Sequence, residues 1–527
     1  MPIRMEKDPQ RPNRNPRPNP GNNRGGGGGL IQFLPILLSL FGRNPKFLII
    51  LLIGAGIWFY MSGGCNGLIS EGGDGEFDPT YYDADVSQFS FGAELSQEKF
   101  DEAEVFAPLA SNYTQLPQRV SLAQYAPPAL HQGAQGSCVG WASAYAARTI
   151  LHSRATGQSP RQTPFSPSYL YNQIKLRGCQ GAYMLDAMKA MSSTGNLPFQ
   201  QFPYNERSCS DVPNQAEVNA GRNYRIRGYN RLTAGARNYG IDLEGIKQNL
   251  AQGAPVVIGM QVGGSFMQPM RGRQVWEPTR RDYSMAGFSG HAMTVIGYDE
   301  RNQVFEIQNS WGPEWGRDGR AFVRYDDFKH FVKEAYGLYP MGSAEDKSQD
   351  PNALQIQLGL VDNASASLIP LAKASNDGVF RTVRPVQTGQ KFKVAVTNNV
   401  ECYTYVFGQE TDKSSYVLFP YTEQHSPYCG IVGTRVFPED YSMVPDDVGQ
   451  QDFIAVVVSK EPLNYNQINQ TISASRRHTF AEKVDAALGQ VQVPNVNFTA
   501  QGDGSIAFNT QVSDRQNVVR MVIAIDK

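Results

Sequence analysis

The run QGAQGSCVGWA (132–142) constrains this chain more than any other stretch, because it acquires meaning only with two distant segments, GHAMTVIGYD (290–299) and IQNSWGPEWGRDGRAFV (307–323). In order they supply Gln132, Cys138, His291 and Asn309. A thiol attacks a carbonyl at neutral pH only as thiolate, so it needs an imidazole to take its proton. That imidazole must be held in one tautomer, which an amide side chain can do. The segment from Cys138 to about Ala155, with Trp141 and Tyr145, reads as a buried helix. Ser137 is a natural N-cap, which sets Cys138 at the positive helix end, where a thiol pKa is depressed. His291 opens HAMTVIGY, a strand by composition, and VFEIQNSW (304–311) reads as the next, with Asp299, Glu300 and Asn302 as turn residues between them. The expected class is α+β, with two neighbouring antiparallel strands facing a helix that carries the thiol.

These segments, taken as an ordered set, resemble the papain family of cysteine peptidases over about Leu116 to Tyr339. The resemblance implies a two-lobed fold, one lobe helical and one an antiparallel sheet. It also implies Cys138 as nucleophile, His291 as base, Asn309 as its orienter and Gln132 as the side-chain donor of the oxyanion hole. Trp311, in NSWG, matches the indole that covers the His–Asn hydrogen bond. GCQGAYMLDAM (178–188) and FPYNERSC (202–209) resemble the family's substrate-binding glycine segment and a nearby disulfide, which implies Gly181 and Ala182 along the cleft and a Cys179–Cys209 bond. Both His291 and Asn309 follow Cys138 at slightly more than the roughly 130–150 residues usual in the family.

The sequence also departs from the family pattern. Val139 follows the cysteine where a tryptophan is usual, with Trp141 two positions later. Gln135 stands where many members carry a cysteine, and Ala182 replaces a glycine and narrows the expected cleft. No long helical propeptide precedes the catalytic segments, so control by autocatalytic release is not expected. None of these departures removes a catalytic atom.

The chain has 527 residues, length for about three domains. Its formal net charge of −1 argues against nucleic acid as a partner. Residues 1–29 are basic and Pro/Gly-rich and are expected to be a disordered cytoplasmic tail. Within 30–65 come LIQFLPILLSLF (30–41), which suits an interfacial segment, and FLIILLIGAGIWFYMSGGC (47–65), just long enough for a transmembrane helix. Eight basic residues precede residue 47, and the stretch after the apolar run is acidic, so the expectation is a single-pass membrane protein of a bacterium with residues 66–527 extracytoplasmic. Residues 66–113 read as an acidic linker or short ordered arm, 114–343 as the peptidase region and 344–355 as a polar linker.

Residues 356–527 read as a β-rich accessory domain, a sandwich by its alternating strands, interrupted by a helical stretch at about Asn466–Leu488. YTYVFG, SSYVLFPY and FIAVVVSKEPLN there resemble a bacterial domain of unknown function found behind peptidases, and it is a candidate surface for a protein partner. Cys402 and Cys429 lie in this domain and are candidates for a second disulfide, while Cys65 stands apart at the membrane edge. Such pairing suits an oxidising compartment. There is no CxxC and no HExxH, so neither metal nor other cofactor is expected.

The reading is a membrane-anchored cysteine endopeptidase acting on protein or peptide. Its rivals are a catalytically silent envelope binding protein, which the intact Gln–Cys–His–Asn set disfavours, and a cell-wall peptide amidase, which the NSWG segment and Gln132 disfavour.

Overall fold

The computed structural model describes residues 3–8, 89–110, 116–232, 240–341, 350, 352–374 and 378–527. The apolar runs 30–41 and 47–65 and Cys65 lie outside them, and among the described residues no helix is long and apolar enough to cross a membrane.

The peptidase region has two cores. Helices Pro167–Ile174 and Met184–Ser193 pack against the helix that begins at Cys138, burying Val139, Leu170, Tyr171, Leu185 and Met188. That central helix runs through Cys138–Gly140, a π-helical stretch Trp141–Arg148 and Thr149–Thr156, ending on left-handed Gly157, a conformation open to glycine. π-helical turns recur near functional sites. The second core lies on the sheet, where Ile258, Met260, Val295, Phe305 and Trp276 are buried. Strand Ser289–Asp299 lies between Val256–Val262 and Val304–Gln308, all antiparallel. His291 opposes Met260 in this ladder, and Thr294 opposes Gln308. The two expected strands and the buried helix are present, but the second strand ends at Gln308, so Asn309 lies just beyond it rather than on it.

The C-terminal region is a sandwich of an eight-stranded and a seven-stranded sheet, counted among the described residues. Strand Gln451–Ser459 explains its own sequence. Ile454, Val456 and Val458 face the core between the sheets, while Ala455 and Val457 face two helices on the outer side. Both faces are covered, so the strand reads as an unbroken apolar run. The single helical stretch expected at about 466–488 is two helices, Tyr465–Ala474 and Phe480–Leu488. Thr479 starts the second with a capping box to Glu482, which breaks the first from it. Strand Ala353–Asp362 begins inside the stretch expected to be a linker.

Two expectations for the amino-terminal part are corrected. Strand Ile3–Lys7 pairs antiparallel with Tyr441–Pro445 of the sandwich, with Ile3 buried in its core and Asp8 bonded to Lys393, Ser442 and Asn363. Those residues are therefore not a disordered tail. Of the two readings of the acidic segment 66–113, the bare linker is corrected, because residues 89–110 form an ordered arm, a strap across the peptidase region. The strap carries helix Gln97–Asp101, with Phe100 buried against Tyr336. It then adds strand Val105–Phe106 to the peptidase sheet, between Tyr229–Arg231 and His425–Ser426 of the sandwich.

Candidate active site

Helix and sheet bring Gln132, Cys138, His291, Asn309 and Trp311 together between the two cores. Cys138 is the first residue of its helix and is fully buried, as is His291. Ser137 occupies the N-cap position but makes no capping bond, because its hydroxyl lies 2.6 Å from that of Tyr204. The Ala292 N–H donates to the Cys138 sulfur at 3.4 Å, which sets the thiol one residue from the imidazole.

The tautomer of His291 follows from its neighbours. The Ser310 N–H can only donate, and it donates to Asn309 Oδ1 at 2.7 Å, so this atom is the amide oxygen. His291 Nε2 lies 2.7 Å from the same oxygen and must therefore carry the proton. In the neutral ring Nδ1 is then a lone-pair acceptor, and it has no hydrogen-bond partner among the described residues. Trp311 stacks on the imidazole with ring centroids 4.2 Å apart and an interplanar angle of 24°. The arrangement offers a base with its free edge kept unoccupied beside a thiol at a helix N-terminus.

Gln132 is buried and held at every polar atom. Its side-chain N–H donates to Gln135 O at 2.9 Å, its side-chain oxygen accepts from Ser310 Oγ at 2.6 Å, its N–H donates to Ser310 O at 2.8 Å, and its carbonyl accepts from the Tyr204 hydroxyl at 2.6 Å. The amide nitrogen carries two protons, so one remains for a ligand. Ser310 and Tyr204 were not singled out from sequence. Ser310 lies inside the NSWG segment and was readable there, while Tyr204 had no signal of its own.

The strap fills the groove over these residues. Gly92 and Ala93 both donate backbone N–H groups to Gly290 O, at 3.3 and 3.2 Å. Ala182 N–H donates to Gly92 O at 2.9 Å, and Glu94 N–H donates to Ala182 O at 3.1 Å, a parallel bridge. Ala182 meets the strap through its backbone, and Gly181 lies beside Gly92. The strap passes so close that a Cβ on Gly92 would lie 2.1 Å from Gly136 O, and only glycine fits. On one side Phe89 and Phe91 pack on Trp311, whose indole N–H donates to Ser90 O at 3.0 Å. On the other, Leu95 lies against Met184 and Gly259, and the Ser96 N–H donates to the buried Glu334 carboxylate at 3.0 Å.

With water excluded, burial pushes the Cys138 thiol up to about 12. Burial likewise pushes His291 down to about 4, although the Asn309 bond raises it. Both groups are neutral under the strap. Burial also lifts Glu334 to about 7.

Cys179 and Cys209 are disulfide-bonded, with Cα atoms 6.0 Å apart. Cys402 and Cys429 oppose each other on antiparallel strands as buried free thiols. No cluster of metal-ligating side chains occurs among the described residues.

Comparison with known proteins bears on the peptidase region. The papain family cysteine protease profile matches residues 116–337. A cysteine protease of Blomia tropicalis is 27% identical over 260 residues, 46% of this chain and 72% of that protein. Cathepsin B-like CP2 of Giardia intestinalis is 26% identical over 208 residues, 37% of this chain and 62% of that protein. The solved structure of xylellain, a cysteine protease from Xylella fastidiosa, is 24% identical, covering 48% of this chain and 96% of that one with a TM-score of 0.39. Residues 116–337 form a papain-family cysteine peptidase domain, and the chain that carries them is a hydrolase.

Proposed function

We propose that the protein is a membrane-associated cysteine endopeptidase that hydrolyses peptide bonds with Cys138, His291, Asn309 and Gln132. The observation that carries this reading is the tautomer of His291, whose proton lies towards Asn309 and whose free Nδ1 edge is left for the thiol proton. Once water and substrate replace the strap, Cys138 gives its proton to Nδ1 and attacks the carbonyl carbon. The helix N-terminus favours the thiolate. The backbone N–H of Cys138 and the remaining Gln132 amide proton stabilise the oxyanion, and loss of one such donor costs about 3 kcal/mol of barrier. His291 then protonates the leaving amine, and water deacylates the enzyme with the same imidazole as base.

Endopeptidase action is supported by the strap itself, a continuous chain that extends past the sulfur in both directions, from Phe89 to Leu95. Active-site titration with an epoxide inactivator, with Cys138→Ala as control, tests the chemistry. Stoichiometric labelling without turnover on denatured protein would reject the peptidase, and turnover of peptidoglycan fragments in its place would identify an amidase.

For location, the reading keeps the peptidase and sandwich outside the cytoplasm. The apolar run 47–65 and the Cys179–Cys209 disulfide support it. Because Ile3–Lys7 pairs with a strand of the sandwich, the reading keeps these residues on the same side as the catalytic domain. Protease added to spheroplasts should therefore reach the amino terminus and the catalytic domain alike. Protection of both until lysis would place them in the cytoplasm.

A further inference from the structure

The strap has two halves with different hosts. Residues 89–95 lie on the peptidase groove, whereas residues 105–110 are held largely by the sandwich. The Val105 N–H donates to Gln424 O at 2.8 Å, and strand Val105–Phe106 runs parallel to His425–Ser426. The Ala110 N–H donates to Thr434 O at 2.8 Å. Arg435, buried in the sandwich, donates from Nε to the strap's Ala107 O at 3.0 Å, while its other nitrogens hold Asn398 Oδ1 at 2.7 Å and Ile431 O at 2.8 Å. Phe106 and Leu109 share a small apolar cluster with Tyr339 of the peptidase and Ile431 of the sandwich. The peptidase side adds Gln248, whose amide donates to Leu109 O at 3.2 Å, and Arg231, which donates to Phe100 O at 3.1 Å.

We propose that the C-terminal sandwich is the lock of this strap: by holding residues 105–110 in its own structure it keeps residues 89–95 over Cys138, and the peptidase opens when the sandwich lets go. The proposal rests on the peptidase reading above and assigns the regulation of that site. The physical basis is chain connectivity. A segment tethered a few residues away rebinds at high effective concentration, and detaching the tether removes that advantage. Two features set this apart from a mere domain contact. The strap strand is inserted between strands of the two regions, beside their direct contacts at Gln252 with Val432 and at Arg227 with Glu401. The grip also falls on strap backbone groups, at Val105, Ala107 and Ala110, so it acts whatever side chains the strap carries.

The test uses the full chain and the variants Val105→Pro and Ala110→Pro, each of which removes one strap N–H that donates to the sandwich and leaves the sandwich's own ladder unchanged. The first readout is the rate of Cys138 alkylation by iodoacetamide, mapped by mass spectrometry, and the second is peptide hydrolysis by the same samples. Cys402 and Cys429 report whether the sandwich stays folded, since both are buried. Cys138 labelling should rise about tenfold for each bond removed, with Cys402 and Cys429 protected. Unchanged Cys138 labelling, with hydrogen exchange showing 105–110 detached, overturns the lock. So does a variant whose sandwich unfolds while Cys138 stays protected. Labelling that rises without hydrolysis rejects the catalytic reading and leaves the lock standing. Hydrolysis as fast in the unaltered chain as in the variants rejects the lock and leaves catalysis standing.

Discussion

Two buried polar clusters, one in each region, look alike in burial and differ in how their atoms are partnered. Around Arg435 in the sandwich, all three guanidinium nitrogens donate to oxygens, at 2.7 to 3.0 Å. Around His291 in the peptidase, Nε2 is tied to Asn309, but among the described residues His291 Nδ1 and Asn309 Nδ2 have no hydrogen-bond partner. A buried polar atom without a partner costs about 1–3 kcal/mol. The sandwich avoids that cost at Arg435 and obtains a rigid lock. The peptidase bears it at His291, because a base already committed to a protein donor could not accept a proton from the thiol.

The comparison can be broken at its catalytic end first. Cys138→Ala should reduce peptide hydrolysis by about 10⁴-fold or more while circular dichroism and thermal unfolding stay close to those of the parent, and His291→Ala should match it because the two act as a unit. Appreciable turnover by either would remove the assignment. Arg435→Ala attacks the satisfied cluster. It should lower stability by about 3 kcal/mol, read from denaturant midpoints, because it strands Asn398 Oδ1 and the Ala107 carbonyl and leaves the Ile431 carbonyl only the Asn398 amide. An unchanged midpoint would show that water replaces the guanidinium without loss.

Gly92→Ala sharpens the covering of the site. Its methyl would meet Gly136 O at 2.1 Å, so the strap should leave the groove and Cys138 alkylation should rise by about tenfold to a hundredfold. Slower alkylation would mean that the strap is not the barrier. Asn309→Ala should cost about tenfold to a hundredfold in kcat, since it removes an orienting contact while leaving thiol and imidazole in place.

The smallest effect is in pH. Burial depresses His291 to about 4 from 6.5 in the closed form, so the open form binds the proton more tightly. Closure is therefore strongest above 6.5 and weakens as pH falls towards 4. Backbone hydrogen exchange at residues 90–95, corrected for its intrinsic pH dependence, should speed by a few fold to about tenfold across that window. The change should vanish in His291→Gln. The same dependence in that variant would remove His291 as its cause, and Glu334 could not replace it, because burial raises its carboxyl to about 7 and so favours closure as pH falls.

Much of the site was legible because its chemistry demands particular side chains. No residue other than His291 in that strand can be a base near neutrality, and Asn309 and Gln132 stand in segments whose residues identify them. The sandwich strands were legible from period and composition. The strap was not, and the reason is visible in its contacts. FSFGAEL (89–95) binds largely through Gly92 O and the N–H groups of Gly92, Ala93 and Glu94, and strand Val105–Phe106 is too short to show any period. Ile3–Lys7 was hidden for a related reason, since five residues of weak alternation precede a long Pro/Gly-rich stretch that dominates composition.

The amino-acid sequence alone determined which side chains are candidates for the chemistry, the order in which helix and strands deliver them, and the β character of the last region. It did so because nucleophile, base and amide are properties of side chains, and strand and helix leave periodic apolar traces. Only the tertiary structure decided that Cys138 and His291 are covered and neutral, that the cover is a segment read as a linker, and that the sandwich grips its far end. Backbone N–H and C=O groups are common to nearly every residue, so a contact made through them leaves almost no mark in the sequence.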